Sequence, residues 1–288
     1  MINMMTSVSL IPNLLSFYRV KDWIHFLGIP LLCHCKFKEL NYPQLFLLVS
    51  GCALYLCFAF SINNWTDRFI DINHQNKNPF FNEIKSEKAC HLFLIFLPVF
   101  PSFCSGLVIS VSHFIILLFL FLFAFLYSVP PFRMKRFPII GSAMNIFLFS
   151  PMVFLGVKNV VSYWKAAFPI ALMVSFIIII MQLYHEIEDT EDDKMAQILT
   201  TPVKFGITHT FYLITVIGLL FIFYSLFLFQ IGFMGVIGLS ASILYSALIF
   251  ISYWLFFKKS LDSDKMRLGM RWCSIVLGIS LAVEFYIN

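Results

Sequence analysis

Two long stretches of this sequence contain no acidic or basic side chain, and they constrain the fold more than any other feature. They extend from Ala89 to Phe132 and from Phe205 to Phe257. Each is long enough for two membrane-spanning helices, because one helix needs about 20 apolar residues to cross the hydrocarbon core. Continuous apolar runs also lack the alternating pattern of barrel strands. The sequence therefore predicts an all-α, polytopic membrane protein.

The composition agrees with a chain that is dissolved in lipid. Hydrophobic residues make up 60% of the 288 positions and charged residues 12%, whereas soluble domains contain roughly 45–50% and about 25%. These values exclude a soluble nucleic-acid-binding protein, a secreted scaffold and a disordered tail. We predict a short interfacial lead-in at residues 1–22 and a single transmembrane domain at residues 23–288. Its nine predicted helices form one bundle and cover residues 23–35, 42–62, 90–110, 113–130, 138–157, 166–186, 207–228, 233–257 and 268–287.

The basic residues predict the orientation of the bundle. Most of the 20 Lys and Arg residues lie at the N-terminus and in the loops after the second, fourth, sixth and eighth predicted helices. Because basic loops are retained in the cytoplasm, these loops are predicted to be cytoplasmic. The opposite side carries only four basic residues, Lys36, Lys38, Lys158 and Lys165.

Two acidic motifs follow even-numbered helices on the predicted cytoplasmic side. The first acidic motif is Asn63, Asp67 and Asp71, whose spacing places three oxygen ligands on one helix face. The second acidic motif is Asp189 and Asp193, within an acidic run that begins at Glu186. Carboxylates without accompanying His or Cys ligands favour a hard cation, and Mg²⁺ typically binds one or two carboxylates together with phosphate oxygens. The motifs therefore predict Mg²⁺ bridging to a diphosphate, whereas the alternative is ordinary loop charge.

A third segment places cations after the fourth predicted helix. Pro130 and Pro131 end the helix, and Arg133, Lys135 and Arg136 follow on the same side as the acidic motifs. Cations beside a metal site would stabilise the charge that develops on a leaving diphosphate. Ordinary anchoring by basic loops explains the same residues equally well.

The three segments together, in this order, resemble the UbiA superfamily of intramembrane prenyltransferases. The first motif resembles that family's Asn-x-x-x-Asp-x-x-x-Asp pattern, the second its Asp-x-x-x-Asp pattern, and the segment from Tyr127 to Lys135 its Tyr-Ser-x-Pro-Pro-x-Arg-x-Lys stretch. The resemblance extends from about Arg19 to Gly206. It implies an Mg²⁺-dependent transferase that moves a polyprenyl group from an allylic prenyl diphosphate donor to a small-molecule acceptor, with no nucleic acid and no obligate protein partner.

The resemblance also implies roles for individual residues. The expected metal ligands are Asn63, Asp67, Asp71, Asp189 and Asp193, and the four aspartates among them are the expected catalytic residues. The expected substrate-binding residues are Asn63, Arg68, Lys77, Tyr127, Arg133 and Lys135. Glu186 and Glu188 are candidate proton acceptors or second-metal ligands, and His185 is a candidate base.

Four positions depart from the family pattern. Asn64 replaces a frequent Asp, and Lys77-Asn78-Pro79 replaces a frequent Asn-Arg-Pro. Asp192 and Gln197 lie where the family usually has Gly.

The sequence leaves the acceptor open among an aromatic ring of the quinone-precursor type, a lipid glycerol phosphate, a tetrapyrrole carboxylate and a sugar phosphate. The aromatic acceptor is favoured only by analogy with the family. An ion-coupled transporter is the alternative from another class, because intramembrane carboxylates often mark ion pathways. A catalytically silent relative is a third possibility.

Overall fold

The structure, a computed structural model, describes residues 14–67, 88–258 and 262–287. Within these ranges the chain contains helices, turns and short connections, and no strand. A helix satisfies the backbone N–H and C=O groups within its own segment, as a lipid environment requires. The predicted all-α class is confirmed.

Residues 14–17 are helical, and the thirteen α-helices that follow in the described ranges are numbered in chain order. They are α1 (Val20–Trp23), α2 (Gly28–Phe37), α3 (Tyr42–Asp67), α4 (Lys88–Phe96), α5 (Val99–Ile109), α6 (Val111–Ser128), α7 (Ile140–Phe149), α8 (Val160–Glu188), α9 (Thr190–Met195), α10 (Thr201–Phe205), α11 (Ile207–Gln230), α12 (Val236–Phe257) and α13 (Ser263–Ile287). The 3-10 helices are Ile24–Leu27, Met134–Arg136 and Ser150–Gly156.

Seven segments of the described chain are long and apolar enough to span a membrane, which confirms a multi-pass membrane protein. They are α3, the α4–α5 segment, α6, α8, α11, α12 and α13. All nine predicted segments are helical, but two of them are shorter than a full span, so the count of nine is approximate. The segment predicted at 23–35 consists of a 3-10 helix and the ten-residue α2, and the segment predicted at 138–157 is divided between α7 and a 3-10 helix.

Two prolines lie where predicted spans are interrupted. Pro98 separates α4 from α5, and Pro151 lies in the 3-10 helix that follows α7. Proline has no backbone N–H, and its ring clashes with the preceding helical turn, so both positions disfavour a continuous α-helix. Pro169 is accommodated inside α8, which continues without a break.

The chain divides into two compact units. The first unit consists of Met1–Leu27 and Tyr42–Arg133, and the second consists of Gly28–Asn41 and Met134–Asn288. Residues 1–13 of the predicted lead-in lie outside the described residues, and the prediction of one domain at 23–288 stays a prediction.

The first unit packs around α3. Ser102 on α5 donates a hydrogen bond of 2.9 Å to the carbonyl oxygen of Gly51. A Cβ atom at Gly51 would lie 2.2 Å from Ser105 Oγ, so the hydroxyl group of Ser105 occupies the space that the missing side chain leaves. Tyr55 packs edge-on against Phe121 of α6, with ring centroids 5.4 Å apart. These contacts fix α3, whose last residue belongs to the first acidic motif.

The second unit packs around α8, which contacts α7, α11 and α13. Tyr184 on α8 and Ser252 on α12 share a buried hydrogen bond of 2.6 Å. Gly156 lies directly against α2, because a Cβ atom there would be 2.1 Å from the carbonyl oxygen of Pro30. The C-terminal end of α8, which leads into the second acidic motif, is thus supported from several sides.

Candidate functional site

The first acidic motif begins in the last turns of α3. Ser128, the last residue of α6, donates a hydrogen bond of 3.3 Å to Asn63 Oδ1. Asp67 is the last residue of α3 and lies four residues after Asn63 on the same helix face. Asp71, Arg68 and Lys77 lie outside the described residues, so their expected roles stay predictions.

Asp67 is ion-paired with Arg133, a residue expected to contact phosphate. Arg133 Nη2 donates to Asp67 Oδ1 over 2.7 Å, and the side chains are only 7% and 16% exposed. Arg133 follows the proline pair that ends α6, with a φ angle of 35° in the left-handed region. The structure therefore places Arg133 on the motif's carboxylate, where it holds the orientation of Asp67.

Tyr127 and Lys135 are the other two predicted substrate-binding residues that the structure describes, and they lie on different elements. Tyr127 is half-buried in the last turn of α6. Lys135 is half-buried in the 3-10 helix Met134–Arg136, and its backbone lies against Gly141 of α7. A Cβ atom at Gly141 would be 2.9 Å from the carbonyl oxygen of Lys135, so glycine permits this close turn.

Arg19 is a cation near the first motif that the motif analysis did not assign. Its Nη1 donates to Asn64 Oδ1 over 3.1 Å, and its Nε pairs with Asp22 over 2.7 Å. Asn64 is buried and stands where the family frequently has Asp. The amide oxygen of Asn64 thus accepts a hydrogen bond from the guanidinium group of Arg19, which gives this residue a defined contact at a position where the family frequently has Asp.

The second acidic motif lies in a tight connection at the end of α8. Asp189 joins α8 to α9, and Asp193 lies in α9, where its Oδ2 accepts a hydrogen bond of 2.9 Å from Thr200 Oγ1. Burial raises the pKa of Asp193 from 3.8 to about 6, against the opposing effect of the Thr200 bond, and the nearby Asp189 and Glu186 add to the rise. A cation at this position would relieve both the burial penalty and the repulsion between carboxylates.

Glu186, near the second acidic motif, accepts hydrogen bonds from three surrounding groups. Its Oε1 accepts hydrogen bonds from Ser142 Oγ at 2.7 Å and Gln182 Nε2 at 3.3 Å. Its Oε2 accepts from the backbone N–H of Thr201 at 3.1 Å. Glu186 therefore ties α8 to α7 and α10 and positions the start of the second acidic motif.

His185 and Glu188 share a partner that no sequence motif predicts. Arg267, on α13, donates to His185 Nδ1 over 2.8 Å and is ion-paired through its Nε with Glu188 Oε2. Because arginine only donates hydrogen bonds, Nδ1 of His185 is the acceptor and carries no proton in this arrangement. The candidate base at His185 therefore has this nitrogen already engaged.

The donor set fits a divalent cation. Each motif by itself offers carboxylate oxygens, which Mg²⁺ prefers, and the pKa of Asp193 is raised chiefly because burial disfavours the charged carboxylate. In the described part of the chain, one group of His, Cys, Asp or Glu side chains converges closely enough to hold a metal ion. It consists of His185, Glu188 and Asp189, with ligand atoms within 4.8 Å of one another. The wider ligand set predicted from the motifs stays a prediction.

A family model described as the UbiA prenyltransferase family matches residues 27–275. The chain belongs to the UbiA prenyltransferase family. The match includes both acidic motifs and the Tyr127–Lys135 segment, and it confirms the resemblance inferred from them. A search of curated protein sequences gives no match.

Solved structures of UbiA homologues share the fold of this family member. The structure of a digeranylgeranylglyceryl phosphate synthase has a TM-score of 0.75 at 18% identity, covering 96% of this chain and 99% of that chain. A UbiA homologue from Archaeoglobus fulgidus, bound to GPP and Mg²⁺, has a TM-score of 0.74 at 18% identity, with coverages of 96% and 100%. An apo UbiA homologue from Aeropyrum pernix K1 has a TM-score of 0.73 at 11% identity, with coverages of 90% and 97%. At these identities the likeness establishes the fold alone.

Proposed function

We propose that this UbiA family member transfers a polyprenyl group from an allylic prenyl diphosphate to an acceptor in an Mg²⁺-dependent reaction. The observation that carries the proposal is the position of the motif carboxylates at the ends of long apolar helices. Asp67 is the last residue of α3, and Asp189 follows directly after α8. Carboxylates at helix ends lie where a polar diphosphate group is accessible while an apolar chain extends into the bundle.

The proposed donor class rests on the family and on its solved homologues. The Archaeoglobus fulgidus homologue was determined with GPP and Mg²⁺ and also with DMAPP and Mg²⁺. Both organic ligands are allylic diphosphates. Oxygen-rich motifs in this chain suit the same pairing of diphosphate with a hard cation.

We assign the metal-binding role to Asn63, Asp67, Asp71, Asp189 and Asp193. Mg²⁺, when bound, supplies positive charge to the diphosphate oxygens. The chain's own residues orient these ligands, since Arg133 fixes Asp67 and Thr200 fixes Asp193. Arg68, Lys77, Arg133 and Lys135 are proposed to contact the diphosphate directly, and Tyr127 is proposed to orient the substrate.

The reaction follows from this charge arrangement. The bond between the allylic carbon and the diphosphate oxygen breaks, and its electron pair leaves with the diphosphate. Fixed positive charge stabilises the leaving group as its negative charge grows. The acceptor then attacks the allylic cation, and its proton passes to the released diphosphate, which completes the transfer.

For the acceptor we propose an aromatic compound of the quinone-precursor type, by analogy with the family. A lipid glycerol phosphate is the second candidate, because one structural relative is a digeranylgeranylglyceryl phosphate synthase. A tetrapyrrole carboxylate completes the set to be tested. We further propose that the loops carrying both motifs face the cytoplasm, in accord with the distribution of basic residues.

Turnover in detergent micelles or proteoliposomes tests the proposal. Labelled geranyl, farnesyl and geranylgeranyl diphosphates are offered with each acceptor class, with and without Mg²⁺, to the wild type and to Asp67→Asn. We expect a prenylated product that requires both Mg²⁺ and Asp67. Asp264→Asn is the matched control, because Asp264 lies exposed in the first turn of α13 and should leave turnover unchanged.

A different result would favour the transporter. Absence of product, together with absence of Mg²⁺-dependent binding of any prenyl diphosphate, would overturn the transferase proposal. Uptake of a proton or sodium ion by proteoliposomes that depends on Asp67 would then support ion coupling instead.

A further inference from the structure

Arg267 connects the last helix of the second unit to the end of α8. Its Nη1 donates to His185 Nδ1 over 2.8 Å, and its Nε is paired with Glu188 Oε2. The side chain of Glu188 is 15% exposed and that of Arg267 is 34% exposed, so solvent screens this pair only in part. One guanidinium thus engages a nitrogen and an oxygen on two residues that directly precede the second acidic motif.

The atoms that Arg267 engages are also potential metal ligands. His185 Nδ1 lies 3.6 Å from Glu188 Oε2 and 3.5 Å from Asp189 Oδ2. All three ligand atoms lie within 4.8 Å of one another, so small side-chain movements would bring them to a common ion, whose bonds to His nitrogen and carboxylate oxygen measure about 2.0–2.2 Å for Zn²⁺. The guanidinium of Arg267 therefore uses the Nδ1 lone pair of His185, and it lies against the Glu188 oxygen that a metal ion at this group would bind.

We infer that Arg267 sets the metal preference of the second acidic motif by preventing His185 and Glu188 from acting as ligands. This inference rests on the proposed binding of Mg²⁺ at Asp189 and Asp193. With the imidazole and one carboxylate occupied, the motif offers hard oxygen donors, which suit Mg²⁺. Without Arg267, the His185, Glu188 and Asp189 group becomes a mixed nitrogen and oxygen site.

Such a mixed site prefers a different class of metal. Imidazole ligands suit Zn²⁺ and other first-row transition metals, whereas carboxylates and water suit Mg²⁺. Affinity for one N/O site rises along the first-row series, so Co²⁺ and Zn²⁺ would bind an opened His185 group strongly. Arg267 opposes the binding of these metals in two ways. Its positive charge repels a metal ion, and its guanidinium group occupies Nδ1 of His185.

Direct metal binding to the full-length protein in detergent micelles tests the inference. Co²⁺ is titrated by its visible absorption, and Zn²⁺ is measured by competition against Co²⁺. We expect Arg267→Ala and Arg267→Gln to bind Co²⁺ at least tenfold more tightly than the wild type. Adding His185→Gln to Arg267→Ala should abolish the gain and the nitrogen-dependent absorption band. Lys265→Ala is the matched control, because Lys265 lies exposed on the same helix and pairs with Asp262 at the surface.

Three results would overturn the inference. They are an unchanged Co²⁺ affinity in folded Arg267→Ala and Arg267→Gln, a gain that persists in the presence of His185→Gln, and an equal gain in Lys265→Ala. Arg267→Gln keeps the length of the side chain, so the test stands if Arg267→Ala fails to fold. The measurement involves no prenyl donor, so failure of the transferase proposal would appear in turnover and not in Co²⁺ binding.

Discussion

Arg133 and Asp67 form a largely buried ion pair of 2.7 Å, although 66 residues separate them in the sequence. The pair joins Arg133, the second residue after the paired prolines, to the first acidic motif. A predicted phosphate contact is therefore already engaged with a predicted metal ligand. Removing one member of such a pair leaves a buried charge without compensation, which typically costs about 3–5 kcal/mol.

A double-mutant cycle on this pair should reveal strong coupling. We expect Arg133→Ala and Asp67→Ala each to lower the free energy of unfolding by about 3 kcal/mol. The double variant should lose about 2 kcal/mol less than the sum of the two, because neither charge is then left alone. Denaturant titration in detergent micelles measures the three differences.

The exposed pair Glu191 and Lys194 supplies the control cycle at the same distance. Their charged atoms are also 2.7 Å apart, but the side chains are 78% and 50% exposed. Pairs of this kind contribute about 0.2–1 kcal/mol. Equal coupling in the two cycles would contradict the assignment of Arg133 to a buried structural contact.

Replacing one residue after α9, Gln197, by glycine should stabilise the protein. Gln197 has a φ angle of 56°, in the left-handed region that side chains disfavour, at a position where the family usually has Gly. Gln197→Gly should therefore raise the free energy of unfolding by about 0.5–1 kcal/mol. Ala196→Gly is the control, because Ala196 has a φ angle of −80° and should lose stability. A loss of stability in Gln197→Gly, measured by thermal unfolding, would contradict the inference that the backbone of Gln197 is strained.

The raised pKa of Asp193 gives a signed dependence of stability on pH. Burial favours the protonated carboxyl in the folded state, so the native protein binds more protons than the unfolded chain between pH 3.8 and about 6. Stability contributed by this group is therefore present at low pH and lost as the pH rises through that window. In metal-free buffer, the thermal midpoint of the wild type should fall from pH 4.5 to 6.5 relative to that of Asp193→Asn. Parallel profiles for the two proteins would argue against a raised pKa.

The sequence predicted the features that follow from local patterns. Apolar runs located all nine helical segments, and residue spacing located both acidic motifs at the ends of α3 and α8. The breaks at Pro98 and Pro151 were harder to predict, because proline in a membrane helix can be accommodated, as Pro169 shows.

Partnerships between distant helices were beyond the sequence. Arg267 reaches His185 across 82 positions, and nothing in the local pattern of α13 distinguishes it from an interfacial basic residue. The pairing of Arg133 with Asp67 could not be predicted from the sequence either, and the phosphate contact expected of Arg133 stays a prediction. Such pairings depend on how helices cross, which a one-dimensional pattern does not encode.

Glu284 carries the last prediction, because it is a buried carboxylate far along the sequence from either acidic motif. It is 2% exposed, and its Oε2 accepts a hydrogen bond of 2.6 Å from the backbone N–H of Gly238, while its Oε1 accepts one from Gly235. These N–H groups begin α12 and have no acceptor within their own helix. A carboxylate from α13 therefore caps the N-terminus of its neighbour, where negative charge is favoured.

Glu284→Gln should lower the free energy of unfolding by about 1–3 kcal/mol, because an amide NH₂ group replaces one acceptor and leaves a buried N–H unsatisfied. Denaturant titration in micelles measures the loss, and Glu191→Gln is the control, since its exposed side chain should make the same substitution nearly neutral. Binding of Co²⁺ and Mg²⁺ by folded Glu284→Gln should match the wild type, because Glu284 stabilises the α12–α13 contact and is not among the proposed ligands. Equal stability of Glu284→Gln and the wild type would show that the cap contributes little to folding.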